Sequence, residues 1–149
     1  MADRRIMVVD DEVFNTVAIK GLIGILGFNK PNLIDTCFNG EQAVELVEKA
    51  IRENCPYRYS LILTDCSMPF MDGYEASKRM RQLLQECLKQ EQGGQDSERV
   101  DDRMRIIAIT GHVEPEYVAK ALAHGMDQVF PKPMPILELG LIMQEYGFI

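Results

Sequence analysis

Three short apolar runs break off at a polar residue, and a helical or turn pattern follows each break. Ile6-Met7-Val8-Val9 runs into Asp10-Asp11-Glu12, Leu61-Ile62-Leu63 into Thr64-Asp65, and Ile106-Ile107-Ala108-Ile109 into Thr110-Gly111. A run without polar–apolar alternation has both faces covered, which is the condition of a strand inside a parallel sheet. Two weaker runs, Asn32-Leu33-Ile34-Asp35-Thr36-Cys37 and Gln128-Val129-Phe130, complete a set of five.

Helical spacing fills the intervals. Phe14, Val17, Ala18, Gly21, Leu22 and Ile25 recur at steps of three and four, predicting the inner face of a first helix with Gly27 just past its end. Asn39-Gly40-Glu41 opens a second helix, with Ala43, Leu46, Val47, Ala50 and Ile51 inward and Pro56 closing the region. A third starts near Gly73 on the stripe Ala76, Met80, Leu83, Leu84 and Cys87. Glu114 to His124 predicts a short fourth helix with Pro115 in its first turn, and Pro135 to Tyr146 a fifth with Ile136, Leu139 and Met143 inward. From about Gln90 to Asp102 the pattern fails. That stretch is polar, contains Gly93-Gly94, and reads as a mobile inserted loop.

Strand and helix alternating five times predict a single α/β domain over residues 1–149, a five-stranded parallel sheet with helices on both faces. Right-handed crossovers then bring all five strand ends to one edge, the edge at which open α/β sheets bind ligands. A length of 149 residues suits one such domain, and 46% hydrophobic residues suit a folded core.

A net charge of −7 argues against a nucleic-acid surface, which needs a basic patch. No apolar run approaches the ~20 residues that cross a bilayer. Met1-Ala2-Asp3-Arg4-Arg5 leads straight into a strand without a signal-peptide pattern, so a cytoplasmic protein without membrane contact is expected. Cys37, Cys55, Cys66 and Cys87 form no Cys-x-x-Cys pair, and His112 and His124 are the only histidines, which disfavours zinc. Reduced thiols are expected, with Cys66 a small buried apolar group rather than a reactive one.

The shared edge gathers Asp10 and Asp11 from the first strand, Asp65 from the third, Thr110 from the fourth and Lys132 from the fifth. Taken singly, Asp10-Asp11 reads equally well as a helix cap, Thr110 as a strand residue, and His112 as a solvated loop histidine. Together they are more specific. Three converging carboxylates repel one another unless a cation joins them, and oxygen ligands suit a hard ion, Mg2+ above others. A lysine held between Pro131 and Pro133 adds fixed positive charge, and a hydroxyl adds a donor for a phosphoryl oxygen. The set fits phosphoryl transfer.

Val8-Val9-Asp10-Asp11-Glu12, Leu63-Thr64-Asp65-Cys66-Ser67-Met68-Pro69-Phe70-Met71-Asp72-Gly73, Ile109-Thr110-Gly111-His112 and Lys132-Pro133 resemble the receiver domain of two-component response regulators. The likeness spans nearly the whole chain apart from the segment around Gln90 to Asp102. Its wording is nearest to receivers of hybrid sensor histidine kinases.

The resemblance implies a flavodoxin-like (CheY-like) three-layer sandwich with strand order 2-1-3-4-5. It implies a phosphoacceptor, Asp65, charged from a phosphohistidine on a histidine kinase or histidine-containing phosphotransfer protein, with slow self-dephosphorylation. Asp11, Asp65 and the backbone carbonyl of Ser67 would bind Mg2+ directly, and Asp10 through a water. Lys132 would pair with Asp65 or its phosphoryl group, and Thr110 and Gly111 would bind the phosphoryl oxygens. The Lys132–Pro133 bond would be cis. A weak homodimer is compatible with the family. On this reading the chain is a signalling domain and not an enzyme acting on a separate substrate.

One position departs from the pattern. Receivers commonly place Tyr or Phe three residues before the lysine as a switch residue, and here that position is Val129. Two other readings compete. A hydrolase with Asp65 as covalent nucleophile would often carry a second acid two residues on, where this chain has Ser67. A receiver-like binding module that takes no phosphate would not need the full set of acids, Thr and Lys.

Overall fold

The computed structural model describes residues 4–91 and 103–149. Its elements are β1 (Arg5–Val9), α1 (Val13–Ile25), a 3-10 turn at Pro31–Leu33, β2 (Ile34–Cys37), α2 (Gly40–Arg52), β3 (Tyr59–Thr64), α3 (Gly73–Glu91), β4 (Arg105–Thr110), α4 (Pro115–Ala123), β5 (Gln128–Pro131) and α5 (Ile136–Glu145). All strand pairs are parallel, in the order β2-β1-β3-β4-β5, as the resemblance implied.

The central strands are apolar on both faces because both faces are covered. Met7, Val9, Ile62, Ile106 and Ala108 pack on α2, α3 and α4 through Val47, Met80, Leu84 and Ala121. Their strand neighbours Ile6, Val8, Leu61, Leu63, Ile107 and Ile109 point the other way. They meet Ile19 and Ile23 of α1 and Leu139, Ile142 and Met143 of α5.

The register sorts the strand ends as well. Val9 is paired with Thr64, so Asp10 and Asp65 lie next to each other just beyond the ladder. Thr110 is paired with Pro131, which puts Lys132 one step past the fourth strand's end. The Lys132 amide donates to the Thr110 carbonyl at 2.9 Å, and the Lys132–Pro133 bond is cis.

Local chemistry sets the helix starts. Asn39 accepts from the Gln42 amide at 2.9 Å, and the Gln42 side chain accepts from the Phe38 amide at 2.8 Å, a reciprocal cap for α2. Asp72 caps α3 by accepting from the Glu75 amide at 2.9 Å.

The inner face expected for α1 is rotated, and of its residues only Leu22 packs on the core. Thr16, Ile19 and Ile23 are its buried residues, while Phe14 (81% exposed), Val17 and Ile25 face outward. Apolar residues lie on more than one face of this segment, so spacing could not select the buried stripe, and the sheet did. In α5, Ile142 is buried and Ile136 is exposed, a rotation of the expected face. The expected polar loop begins later than Gln90, because Gln90 and Glu91 continue α3; residues 92–102 of that loop lie outside the described residues.

Arg81 is buried on the stripe of α3. Its guanidinium donates to the carbonyls of Met104 and Gly125 and pairs with Asp127 at 2.7 Å. Asp127 in turn accepts from the Ile106 amide at 2.8 Å. One fork thus ties α3 to the start of β4 and to the corner between α4 and β5.

Candidate functional site

The loops after β1, β3, β4 and β5 place their polar residues in one cleft. Asp10 and Asp65 are almost fully buried, at 1% and 7% exposure, and Asp11 is exposed at the mouth. One oxygen from each lies within 4.8 Å of the others, an arrangement that could hold a metal ion. Lys132 Nζ sits between two of them, 2.9 Å from Asp65 Oδ2 and 3.1 Å from Asp10 Oδ2.

The buried acids are further held by donors. Asp10 accepts from the Glu12 amide at 2.9 Å and the Asn15 amide group at 3.3 Å. It therefore does not cap α1, and neither does the N-cap residue Glu12, whose side chain makes no capping bond. Asp65 accepts from the Cys66 amide at 2.7 Å. Burial pushes the Asp65 carboxyl above its ordinary range, Lys132 works against that shift, and Asp10 adds to it. Burial weakens the charge of Lys132, but its contacts with Asp65 and Asp10 outweigh this and hold it above its ordinary value.

The backbone under Asp65 requires a glycine. The Gly73 amide donates to the Cys66 carbonyl at 2.9 Å, and a Cβ on Gly73 would fall 2.0 Å from the Asp65 carbonyl oxygen. This contact closes the loop between phosphoacceptor candidate and helix. Phe70, at the loop's tip, has φ 70° and is 88% exposed.

Thr110 is buried, and its hydroxyl accepts from the His112 amide at 3.2 Å. Gly111 has open space where a side chain would start. Ser67 is exposed beside the acids. His112 is solvent-exposed and stacks on Tyr117, ring centroids 4.8 Å apart. Val129 is half-buried on the α3–α4 side, the face that Thr110 shares, and Phe130 packs on the opposite core.

Sequence reasoning thus named the acids, Thr110 and Lys132. It did not find Asn15 as a support for Asp10, since an Asn near a helix start has many other uses.

No helix among the described residues is long and apolar enough to cross a membrane. The chain is similar to the hybrid signal transduction histidine kinase C of Dictyostelium discoideum, 28% identical over 147 residues. The match covers 97% of this chain but 10% of that protein, so the chain spans a small part of its relative. It is also similar to the receiver domain of the sensor histidine kinase PA1611 from Pseudomonas aeruginosa PAO1, a structure with a magnesium ion coordinated in its active site cleft. That likeness is 28% identity at a TM-score of 0.67, covering 97% and 98% of the two chains. The receiver domain of Ssk1 from Saccharomyces cerevisiae, crystallised with the histidine phosphotransfer protein Ypd1, shares the fold at a TM-score of 0.69 and 21% identity, with 99% of this chain and 92% of that one covered. The model of the response regulator receiver domain matches residues 6–90. With the sheet order, the acidic cleft and this match in agreement, the chain belongs to the response regulator receiver family of two-component signalling.

Proposed function

We propose that Asp65 accepts a phosphoryl group from phosphohistidine and that residues 1–149 act as one receiver domain. The observation that carries this reading is the placement of Lys132 Nζ between Asp65 and Asp10, with Asp11 at the mouth of the same cleft. In the transfer, an Asp65 carboxylate oxygen forms a bond to phosphorus as the phosphorus–nitrogen bond to the donor imidazole breaks. The released imidazole takes up a proton. In slow hydrolysis, water attacks phosphorus, the bond to the Asp65 oxygen breaks, the carboxylate is restored, and the water's proton leaves with the inorganic phosphate or to solvent.

The cleft fits Mg2+. Three carboxylates against one ammonium leave two negative charges, which a divalent oxygen-seeking ion neutralises. Asp11, Asp65 and the Ser67 carbonyl would hold it directly, and Asp10 through a water. Bound there, Mg2+ would draw off charge from the phosphoryl oxygens. Lys132, whose ammonium already pairs with Asp65, would add positive charge to the same oxygens. Thr110 and the Gly111 amide would turn toward them and move the loop before α4. Val129, short and β-branched, gives no ring to follow that motion.

The donor is a histidine kinase or a histidine-containing phosphotransfer protein. Support comes from exposed apolar side chains on the segments that follow these strand ends, Val13, Phe14 and Val17 on α1, Phe70 after β3 and Val113 after β4. Such a set suits a protein donor better than a small metabolite. Action inside the cytoplasm follows from that donor class. The hydrolase reading is disfavoured, because exposed Ser67 stands where many such enzymes carry a second acid.

Mass spectrometry after incubation with acetyl phosphate and Mg2+ tests the proposal. One phosphoryl group should map to Asp65 and be absent in Asp65→Asn. A label on Asp10 or Asp11 of the unaltered chain would refute the assignment.

A further inference from the structure

Resting on that phosphoacceptor reading, we propose that the cavity between α1 and the loop after β5 admits a second class of phosphodonor, small acyl phosphates with an aromatic acyl group. The cavity holds about 310 Å³ and shares Asp10 and Lys132 with the acceptor cleft. These two are paired at 3.1 Å, and the same ammonium lies 2.9 Å from Asp65 Oδ2. Lys132 thus touches the reacting carboxylate and lines the cavity as well.

The other walls are largely apolar. Ile19, Ile109 and Met134 are buried members of the core under α1 and α5. Half-buried Leu22 and exposed Ala18 continue the lining along the helix. Asn15, Ala18, Ile19 and Leu22 follow one another at steps of three and four, so a single strip of α1 forms this wall. Ala18 leaves open what a longer side chain would fill. Apolar cavities of about 150 Å³ already take up benzene, so a ring fits here. Phe14 and Val17, which favour a protein donor, lie outside the lining, and the small donor is an additional route.

An aromatic acyl phosphate matches both surfaces at once. Its phosphoryl group is drawn to the Lys132 ammonium, and its ring leaves water for the cavity. In the transfer, an Asp65 oxygen bonds to phosphorus as the bond from phosphorus to the acyl oxygen breaks. The electron pair stays with the departing carboxylate, which needs no proton. An acetyl methyl covers little of the apolar wall and a benzoyl ring much more. A pocket that fits an apolar group discriminates by roughly tenfold or more for each methylene.

The test measures Asp65 labelling of the full chain with Mg2+ at equal concentrations of acetyl phosphate and benzoyl phosphate. The benzoyl rate should exceed the acetyl rate by roughly tenfold. Ala18→Leu, which fills the cavity from an exposed helix position, should bring that ratio toward one. A second measurement uses phenacylphosphonate, which cannot transfer its phosphorus. It should shift the methyl resonances of Ile19, Leu22 and Ile109 in the unaltered chain, where acetonylphosphonate leaves them in place. A benzoyl rate at or below the acetyl rate, a ratio that Ala18→Leu does not change, or methyls unmoved by phenacylphosphonate would overturn the proposal while leaving Asp65 as acceptor. So would an unchanged ratio in a variant that slows transfer from a phosphorylated histidine phosphotransfer protein, which would assign the cavity to a protein side chain. An unaltered chain that takes no label from acetyl phosphate would overturn both readings.

Discussion

Replacing Lys132 with Met removes the cation between two buried acids while keeping most of the side-chain volume. Asp65 loses a bond of 2.9 Å and Asp10 one of 3.1 Å. Unmaking one side of a buried ion pair costs about 3–5 kcal/mol when the remaining charge is left bare. Neither acid is left bare here, because Cys66, Glu12 and Asn15 still donate to them. A loss near the lower bound, ~2–3 kcal/mol, is therefore expected. For a chain of this length that lowers the thermal midpoint by roughly 4–12 °C. The sign with pH follows from Asp65, whose folded pKa is already raised. Losing Lys132 raises it further, so the penalty should be full above the variant's folded pKa and fade as pH falls from there to the parent's folded pKa, a window that lies wholly above the ordinary value of 3.8. Mg2+ replaces the missing charge, so it should stabilise Lys132→Met more than the unaltered chain. Circular dichroism melts with chelator and with excess Mg2+ measure both effects. A variant as stable as the parent in chelator, or equal Mg2+ shifts in the two chains, would refute the reasoning.

Asp11→Ala should abolish most of the Mg2+-dependent rise in midpoint while leaving the melt in chelator within ~0.5 kcal/mol of the parent or above it, since this acid is exposed and its removal eases repulsion. Gly73→Ala should cost roughly 3 kcal/mol, the upper range of overpacking, and slow phosphorylation, because its methyl group would overlap the Asp65 carbonyl oxygen; parental melting and labelling rates would contradict this. Burial pushes the Cys37 thiol up to about 12 from 9.0. The stability this confers is present below pH 9.0 and drains away as pH rises toward 12, and at pH 8 iodoacetamide should modify half-exposed Cys55 well before Cys37.

The sheet was legible because its central strands are apolar on both faces, a pattern that a helix of four to six residues would not use. The cleft was legible because each of those runs stops at a polar residue, and register places the stops side by side. The buried stripe of α1 was not legible. Val13, Phe14, Val17 and Ile25 are as apolar as Ile19 and Ile23, so only the packing of the neighbouring β1 and α5 decides which go inside. Buried Arg81 was also hidden, since a charged residue on an apolar stripe gives no sign of two carbonyls and an aspartate waiting across the fold.

The Arg81 fork has a consequence for how such a chain can change length. Leu88 near the end of α3 and Met104 before β4 belong to the same packed core, and Arg81 fastens the Met104 carbonyl from below. Both shores of the segment 92–102 are therefore moored independently of what spans them. Each doubling of a loop's length adds only about 0.6 kcal/mol to the cost of closing it. The gap between α3 and β4 is thus a port into which a reporter or a second binding module can be spliced, on the side of the sheet opposite the edge that holds Asp65.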